Sequence, residues 1–302
     1  MKILIRNFIF LVICILSTQT QIIAQQATKQ ITVNGVTLHY VEQGKGIPII
    51  LVHGAIGDYR TWEGQMNALS KNHRVIAYSR RYAYPNDTTD HSKGYSVAIN
   101  AEDLIAFIKA LKLGPVHLVG HSYGGYTALI TAIKHPELVR SLTLGEPPVM
   151  SLLKNTTNGD SLLNQFVSNT LSPTGEALKN GDNEQALTLF LAGVIGIQDF
   201  YSNLPAETKQ IMKSNLFELK GVLTSENVFP PTTCTELGTI KTPVLLLEGE
   251  KSPRLFHVIN SELKTCLINK EYIIIPNASH GLELENPEAF NSTVLKFIND
   301  HK

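Results

Sequence analysis

Short apolar runs alternate with amphipathic helical patterns along most of this chain. The runs with the length of one buried strand are IPIILVHG (47–54), HRVIAYS (73–79), PVHLVGH (115–121), VRSLTLG (139–145), TPVLLLEG (242–249) and EYIIIP (271–276). Between them, residues 96–112 place Leu104, Ile108 and Leu111 on one face of a helix. Strands that are apolar on both faces and alternate with helices form a mostly parallel sheet with helices on both sides. The sequence therefore predicts an α/β fold.

Two other segments complete this outline. Residues 31–46 alternate apolar and polar side chains around Asn34-Gly35, a pattern that is typical of a β-hairpin. About ninety residues between Glu146 and Thr239 show helical patterns only, and they are too many for a loop. We expect a core formed by residues 28–146 and 240–302, and a helical lid at residues 147–239 over the carboxyl ends of the strands.

The amino-terminal segment differs from the rest of the chain. In MKILIRNFIFLVICILSTQTQIIAQQ, Lys2 and Arg6 precede a short apolar stretch, residues 8–16, and a polar region follows. This order is typical of a secretory signal peptide, here cleaved near Ala24. An apolar stretch of about ten residues is too short to span a bilayer. We therefore expect removal of residues 1–24, no stable membrane anchor afterwards, and an exported protein, periplasmic or secreted.

Charge and cysteine content narrow the choice of partners. The chain has 26 basic and 26 acidic residues, so no net field attracts nucleic acid or an acidic membrane, and we expect a small-molecule substrate. The sequence leaves the oligomeric state open.

The cysteines predict a disulfide. Cys14 leaves with the signal peptide, and Cys234 and Cys266 remain, an even number in an oxidising compartment. A disulfide between these two cysteines is expected; two unrelated buried thiols are the alternative.

The clearest chemical motif surrounds Ser122. This serine lies in Gly120-His121-Ser122-Tyr123-Gly124, between the strand 115–121 and a helix rich in small residues. A serine in a strained strand-to-helix turn needs small neighbours two residues before and after it, because strand and helix approach closely there. The pattern predicts Ser122 as a nucleophile. It also places the Tyr123 N–H at the start of a helix, where it can face a developing oxyanion.

Two more loops at the same edge of the sheet carry polar groups. His53-Gly54 ends a strand expected beside the nucleophile strand, so the N–H of Ala55 is a second candidate oxyanion donor, while His53 is interpreted as structural. His280 follows the last strand, within NASHG (277–281). It is the predicted general base, because the other histidines fall on strand faces, on helices, at termini or, for His121, beside Ser122 and pointing away from it. No histidine–acid spacing predicts a metal site.

His53-Gly54, the turn at Ser122 and the segment 277–281 together resemble the lidded, single-domain enzymes of the α/β-hydrolase fold, over roughly residues 30–300. The resemblance implies eight strands, a lid after strand six, and a triad in the chain order serine, acid, histidine. It implies no metal and no organic cofactor.

The chain departs from this family in two places. The loop after strand four usually reads Asp-x-Arg-Gly-x-Gly, and here Arg81 matches while tyrosines, Tyr82 and Tyr84, replace both glycines. We expect Arg81 and Tyr82 to wall the substrate pocket. Ser252 stands where the family usually has its acid after strand seven.

Another carboxylate must therefore complete the triad. Glu146 directly follows strand six, ahead of Pro147-Pro148, and some relatives, haloalkane dehalogenases among them, use a glutamate there. We interpret Glu146 as the acid. Glu250, two residues from the usual position, is the alternative. Glu146 could also cap only the entrance to the lid, but a buried carboxylate without a partner is costly.

The residues together predict a serine esterase that acts through an acyl-enzyme on small to medium apolar substrates. Serine as nucleophile argues against dehalogenase and epoxide-hydrolase chemistry, which use aspartate in this fold. Amide hydrolysis or aminopeptidase activity, C–C bond hydrolysis, perhydrolysis and acyl transfer use the same triad and stay open. A catalytically silent binding protein on the same fold is the alternative from a different class.

Overall fold

The computed structural model describes residues 28–88 and 94–302 of the 302-residue chain. The predicted signal peptide, residues 1–24, lies outside the described residues, and export stays a prediction. Within the described residues, no helix combines the length and the apolar character needed to cross a bilayer.

The centre of the molecule is an eight-stranded sheet in the order β1-β2-β4-β3-β5-β6-β7-β8. The strands are β1 Lys29–Val33, β2 Val36–Gln43, β3 Pro48–Val52, β4 Arg74–Tyr78, β5 Val116–His121, β6 Val139–Gly145, β7 Val244–Gly249 and β8 Lys270–Ile275. Strand β2 pairs antiparallel with β1 and β4, and all the other pairs are parallel. The predicted mostly parallel α/β sheet is confirmed.

Positive φ angles close the hairpin between β1 and β2. Asn34 has φ 49° and Gly35 has φ 77°, the backbone that a two-residue turn between right-twisted strands requires. The Asn-Gly signal in the sequence identified this turn because these two residue types accept the left-handed conformation at low cost.

Thirteen α-helical segments accompany the sheet in the part of the chain that the structure describes. They are α1 Glu63–Leu69, α2 Val97–Ala110, α3 Ser122–Lys134, α4 Gly159–Phe166, α5 Ser172–Lys179, α6 Asn183–Ile195, α7 Phe200–Asn203, α8 Ala206–Ser214, α9 Leu216–Thr224, α10 Cys234–Leu237, α11 Arg254–Cys266, α12 Leu282–Glu285 and α13 Pro287–Asp300.

Both faces of the central strands of the sheet are buried, whereas the edge strands β1 and β8 are partly exposed. Ile50 and Val52 of β3 join the apolar core under α2, α3 and α11, whereas Ile49 and Leu51 join a second core under α1 and α13. Side chains that alternate between the two faces of a strand can both be apolar only if helices cover both faces. This explains why the segments of the central strands read as unbroken apolar runs.

Helices α4 to α10 form a helical insert between β6 and β7, and no strand occurs in residues 146–243. The insert has an apolar cluster of its own, which includes Leu187, Phe190 and Leu219. Ile56, from the loop after β3, and Phe256, from α11, join this cluster. The insert therefore packs against loops that leave the carboxyl edge of the sheet.

A disulfide joins Cys234, the first residue of α10, to Cys266, the last residue of α11. It links the end of the helical insert to the helix that connects β7 and β8. Both cysteines precede neighbouring strands, so the bridge lies at the amino edge of the sheet, opposite the carboxyl edge that carries Ser122.

Candidate active site

Ser122 occupies a sharp turn between β5 and α3. Its φ is 50°, a left-handed conformation that a residue with a side chain adopts at a cost. A Cβ added to Gly120 would lie 2.6 Å from the carbonyl oxygen of Gly124, and one added to Gly124 would lie 2.1 Å from that of Val52. Strand, helix and the neighbouring strand β3 therefore approach so closely that only glycine fits at these two positions. This crowding presents Ser122 at the carboxyl edge of the sheet.

A chain of hydrogen bonds connects Ser122 to a histidine and an acid. The Ser122 Oγ lies 2.9 Å from Nε2 of His280, and His280 Nδ1 lies 2.6 Å from Oε2 of Glu146. Because a carboxylate only accepts, Nδ1 carries the ring proton and Nε2 is free to accept from the serine hydroxyl. The structure thus brings together the three residues that the sequence analysis selected, in the arrangement of a nucleophile, a base and an orienting acid.

Glu146 is held as a buried carboxylate at the end of β6. Its side chain is fully buried, and Oε1 accepts the backbone N–H of Gly249 at 2.9 Å. Burial acts to raise the pKa of Glu146, but the hydrogen bond and charge of His280 outweigh it, so the pKa lies below its ordinary value. Ser252 also lies near enough to favour the charged form, although its hydroxyl forms no hydrogen bond of ordinary geometry.

Two other carboxylates, Glu248 in β7 and Glu250 in the loop after it, face elsewhere. Glu250 accepts the backbone N–H of Asn277 at 2.7 Å, on the exposed side of the loop. Glu248 pairs with His257 of α11. Neither is a hydrogen-bond partner of His280 in the structure, so Glu146 occupies the place that an orienting acid requires.

The environment of His280 favours the neutral imidazole. Burial lowers the pKa of His280 below its ordinary value, against the opposing effect of Glu146. The ring of Phe256 stacks on the imidazole, with 3.8 Å between ring centroids and 15° between planes. A neutral imidazole that is packed on one face and hydrogen-bonded at both nitrogens is ready to take a proton at neutral pH.

Ser122 and His280 open into a cavity of about 410 Å³ between the sheet edge and the helical insert. The insert supplies an apolar wall, formed by Phe190, Leu191, Val194, Ile195, Phe200, Ile211 and Met212. Charged side chains at the cavity include Arg60, Glu63 and Glu207. Arg60 is already paired with Asp58 at 2.6 Å, so the cavity offers no unpaired cation from that residue. The space beside the nucleophile is mainly apolar.

Two backbone N–H groups were predicted as oxyanion donors. Ala55 lines the cavity directly after Gly54, and a Cβ on Gly54 would lie 3.4 Å from the Cβ of Ser122. Tyr123 is the second residue of α3, whose first N–H groups have no partner within the helix. Both predicted donors therefore belong to segments that adjoin Ser122.

The predicted pocket wall after β4 is different in the structure. Arg81 turns away from the cavity and forms two hydrogen bonds of 2.7 Å with Asp103 of α2. Tyr82 is buried, and its hydroxyl donates to the carbonyl oxygen of Gly94. The structure does not place either residue in the wall of the cavity, because the ion pair to α2 and the packing of Tyr82 hold the loop against the core instead.

Sequence reasoning did not find a second histidine–carboxylate pair beside the base. His121 was expected to point away from Ser122; it lines the cavity, with Nε2 2.6 Å from the carbonyl oxygen of His280 and Nδ1 3.0 Å from Oε1 of Glu283. Burial disfavours a charge on His121, but Glu283 outweighs it and raises the pKa. In the sequence, only the position of His121 next to Ser122 pointed to a place in the site. Its pairing with Glu283 depends on the fold, which brings α12 close to His121.

Among residues 28–88 and 94–302, no group of three or more histidine, cysteine, aspartate and glutamate side chains could hold a metal ion. The polar side chains around Ser122 are instead arranged as two histidine–carboxylate pairs.

The family model, the relative and the solved structures that this chain resembles all belong to hydrolases. A family model described as the α/β hydrolase fold matches residues 47–287. The chain is 25% identical over 276 residues, 88% of its length and 95% of the relative's, to (E)-2-((N-methylformamido)methylene)succinate hydrolase of Acinetobacter baylyi. Among solved structures it resembles the N-acyl homoserine lactone degrading enzyme Est816 (TM-score 0.72, 22% identity, covering 89% of this chain and 100% of that one). It also resembles the carboxylesterase CesB of Bacillus subtilis (TM-score 0.70, 21% identity, covering 91% and 92%). The chain therefore belongs to the α/β hydrolase fold family and is a hydrolase of that fold.

Proposed function

We propose that the protein is an exported serine hydrolase that cleaves esters of small to medium apolar substrates through an acyl-enzyme on Ser122. This proposal rests mainly on the hydrogen bonds that connect Ser122 to His280 and His280 to Glu146, at the side of an apolar cavity. The carboxylesterase and the lactone-degrading enzyme among the similar structures support acyl hydrolysis as the reaction class.

In the proposed mechanism, His280 takes the proton of Ser122 as Oγ attacks the acyl carbon. The Ala55 and Tyr123 N–H groups donate to the oxyanion that forms. The protonated His280 then gives its proton to the leaving alcohol, and a water molecule deacylates the enzyme with the same base. Glu146 fixes the tautomer of His280 and stabilises the imidazolium during both steps.

The cavity wall supports the choice of an apolar substrate, and the helical insert that supplies it is proposed to act as a lid. Burying the apolar chain of a substrate against Phe190, Leu191 and Val194 would stabilise binding by about 0.8 kcal/mol per methylene. The neutral charge of the chain and the pairing of Arg60 with Asp58 give no reason to expect an anionic substrate.

One experiment tests the proposal directly. The purified protein should react with a fluorophosphonate probe at Ser122 and hydrolyse p-nitrophenyl esters. Ser122→Ala should lose probe labelling and at least about 10³-fold of the turnover while keeping its circular dichroism spectrum, because the nucleophile alone is removed. Activity of the folded variant within tenfold of the parent would show that Ser122 is not the nucleophile. A parent that neither reacts with the probe nor hydrolyses any ester would favour a silent binding protein.

A panel of esters, amides, diketones and lactones separates the remaining uses of the triad. Faster turnover of anilides than of esters would favour an amidase or aminopeptidase, and cleavage of diketones a C–C hydrolase. Transfer product in excess over hydrolysis, when an alcohol is added, would favour an acyltransferase.

Export is the second part of the proposal. It is supported by the charged and then apolar amino-terminal sequence, residues 1–24, and by the disulfide between Cys234 and Cys266, since disulfides persist in oxidising compartments. Cell fractionation with amino-terminal sequencing should find the mature chain outside the cytoplasm, beginning near residue 25. A full-length chain in the cytoplasm would contradict it.

A further inference from the structure

Arg80, directly before the mispredicted Arg81, is buried behind the candidate oxyanion donors. Its side chain has no exposed surface, which is rare for a charged group. Nε donates to the carbonyl oxygen of His53 and Nη2 to that of Gly54, each at 3.0 Å. The guanidinium thus contacts two successive carbonyls of the loop that follows β3.

One of these contacts acts on a predicted donor. The carbonyl of Gly54 and the N–H of Ala55 belong to the same planar peptide unit, so fixing the direction of one fixes the direction of the other. The ring of His53 also donates to the Gly54 oxygen, from Nδ1 at 2.8 Å. Two donors on one carbonyl orient the peptide and polarise it, and polarisation strengthens the hydrogen bond that its N–H can give.

His53 itself is held by Arg80. The backbone N–H of Arg80 donates to Nε2 of His53 at 3.0 Å. Burial and the charge of Arg80 lower the pKa of His53 well below its ordinary value. The neutral ring therefore accepts at Nε2 and donates at Nδ1, the tautomer that both contacts require.

Arg80 also contacts the residue that supplies the other predicted donor. The guanidinium carbon lies 4.5 Å from the centroid of the Tyr123 ring, within the range of a cation–π interaction. Nη1 reaches Asn100 Oδ1 at 3.4 Å, and the amide nitrogen of Asn100 is 3.4 Å from the Tyr123 hydroxyl. One side chain thus touches both segments, Gly54-Ala55 and Tyr123, that flank the nucleophile.

The charge of Arg80 is balanced from the helical insert. Nη2 donates to Oε2 of Glu218 in α9 at 2.8 Å, and both side chains are fully buried. Burial raises the pKa of Glu218 to about 7, against the opposing charge of Arg80. A buried guanidinium without a carboxylate would be strongly destabilising, so α9 supplies the partner that lets Arg80 stay behind the loop.

We propose that Arg80 is a positioning residue that holds the Ala55 and Tyr123 N–H donors in place for the transition state, with Glu218 of the helical insert as its counter-ion. The inference rests on the proposed function, because it requires a tetrahedral oxyanion at Ser122. Arg80 touches no reacting atom. It acts through the peptide of Gly54 and through Tyr123.

The test compares two buried ion pairs that are adjacent in the chain. Arg80→Met with Glu218→Leu removes the guanidinium and its carboxylate together, so no charge is left buried alone. Arg81→Met with Asp103→Leu removes the neighbouring buried pair, which lies away from the cavity, and is the matched control. Arg80→Lys keeps the charge, but an ammonium lacks the planar fork that reaches both carbonyls and Glu218.

Each variant is characterised by kcat and KM on one p-nitrophenyl ester and by the rate of labelling with a fluorophosphonate, whose phosphoryl oxygen occupies the oxyanion position. The Arg80/Glu218 variant should lose about 10- to 100-fold in kcat and in labelling rate with KM changed less than about threefold, since loosening donors costs less than removing one. The Arg81/Asp103 control should keep both rates within about threefold. Arg80→Lys should fall between parent and the Arg80/Glu218 variant, and it tests the proposal even if that variant does not fold.

The outcomes separate the two proposals. Parent-like kcat and labelling in folded Arg80→Lys or in the Arg80/Glu218 variant would overturn the role of Arg80 while the function stands. Equal losses in the Arg81/Asp103 control would also overturn it, because they would reflect general loosening of the core. A parent protein that does not react with the probe would overturn the proposed function and this inference with it.

Discussion

At the scale of single residues, the proposed mechanism depends on keeping one imidazole neutral, oriented and next to a hydroxyl. His280 meets these three conditions through three different neighbours. Burial with Phe256 stacked on the ring disfavours the charged form, Glu146 holds Nδ1, and Ser122 occupies Nε2. Burial and the carboxylate act on the pKa of His280 in opposite directions, so replacing Glu146 tests both orientation and protonation.

We expect Glu146→Gln to lower kcat by about 10³- to 10⁴-fold, because an amide can stabilise the wrong tautomer of His280 and cannot compensate the charge of the imidazolium. The acid limb of the residual activity should move to lower pH. The proposed mechanism requires His280 as a free base, and loss of the carboxylate removes the group that raises the pKa of His280. Steady-state rates between pH 4 and 8 measure both effects.

Glu250→Gln is the matched control, since the same change is made on the exposed side of the strand-seven loop, and it should alter kcat less than about tenfold. A folded, nearly fully active Glu146→Gln together with an inactive Glu250→Gln would assign the acid to Glu250.

Combining Glu146→Gln with Ser252→Asp should recover part of the rate that Glu146→Gln loses. Ser252 is buried near Glu146 and its hydroxyl has no hydrogen-bond partner among the described residues.

The sequence was informative about the site where the interacting residues are neighbours in the chain. At Gly120 and Gly124, a side chain would collide with backbone atoms that the strand-to-helix turn brings close. The motif around Ser122 could therefore be recognised without a structure. Arg80 and Glu218 are 138 positions apart, and no spacing rule joins them. The side chain of Arg81 was assigned to the wrong environment because its direction is set by Asp103, a residue of another element.

At the scale of elements, the strands were predictable and their connections less so. Two-sided burial makes each central strand an apolar run that sequence patterns detect. The division of residues 147–239 into helices α4 to α10, with a π-helical segment Val167–Leu171, depends on packing within the insert, which local propensity does not determine.

The disulfide between Cys234 and Cys266 fastens α10 to the end of α11 across 32 positions of sequence. Closing a loop of this length should stabilise the protein by roughly 3–4 kcal/mol, because the unfolded chain loses conformational entropy. Urea unfolding should therefore show a free energy of unfolding lower by that amount in Cys234→Ala/Cys266→Ala than in the oxidised parent. Kinetic constants of the folded variant should stay near those of the parent, since the bridge lies at the edge of the sheet away from Ser122.

The reduced parent provides the control for this measurement. Treatment with dithiothreitol should lower the stability of the parent to that of the double variant and leave the double variant unchanged. Two free thiols in the non-reduced parent by mass spectrometry, or equal stability of parent and variant, would contradict a stabilising bridge.

At the scale of the whole molecule, the cavity is a product of two parts of the chain that fold against each other. The sheet core contributes Ser122, His280 and the loop after β3, and the helical insert contributes the apolar wall. Ile56 and Phe256 of the core lie in the apolar cluster of the insert, and Arg80 pairs with Glu218 of the insert. The sheet edge that carries Ser122 and the apolar wall are therefore packed together. Substrate selection should therefore respond to changes in the insert that leave the triad intact.

We expect kcat/KM for p-nitrophenyl esters to rise about fourfold for each methylene added to the acyl chain until the cavity is filled, the ratio that corresponds to about 0.8 kcal/mol per buried methylene. Leu191→Trp, in the wall formed by α6, should shift the preferred chain length downward and leave the rate for acetate esters within about threefold. Leu189→Trp makes the same change on the same helix at a residue that does not line the cavity, and it should keep the chain-length preference of the parent. A preference that is flat across chain lengths, or that shifts equally in both variants, would show that the acyl group does not occupy this cavity.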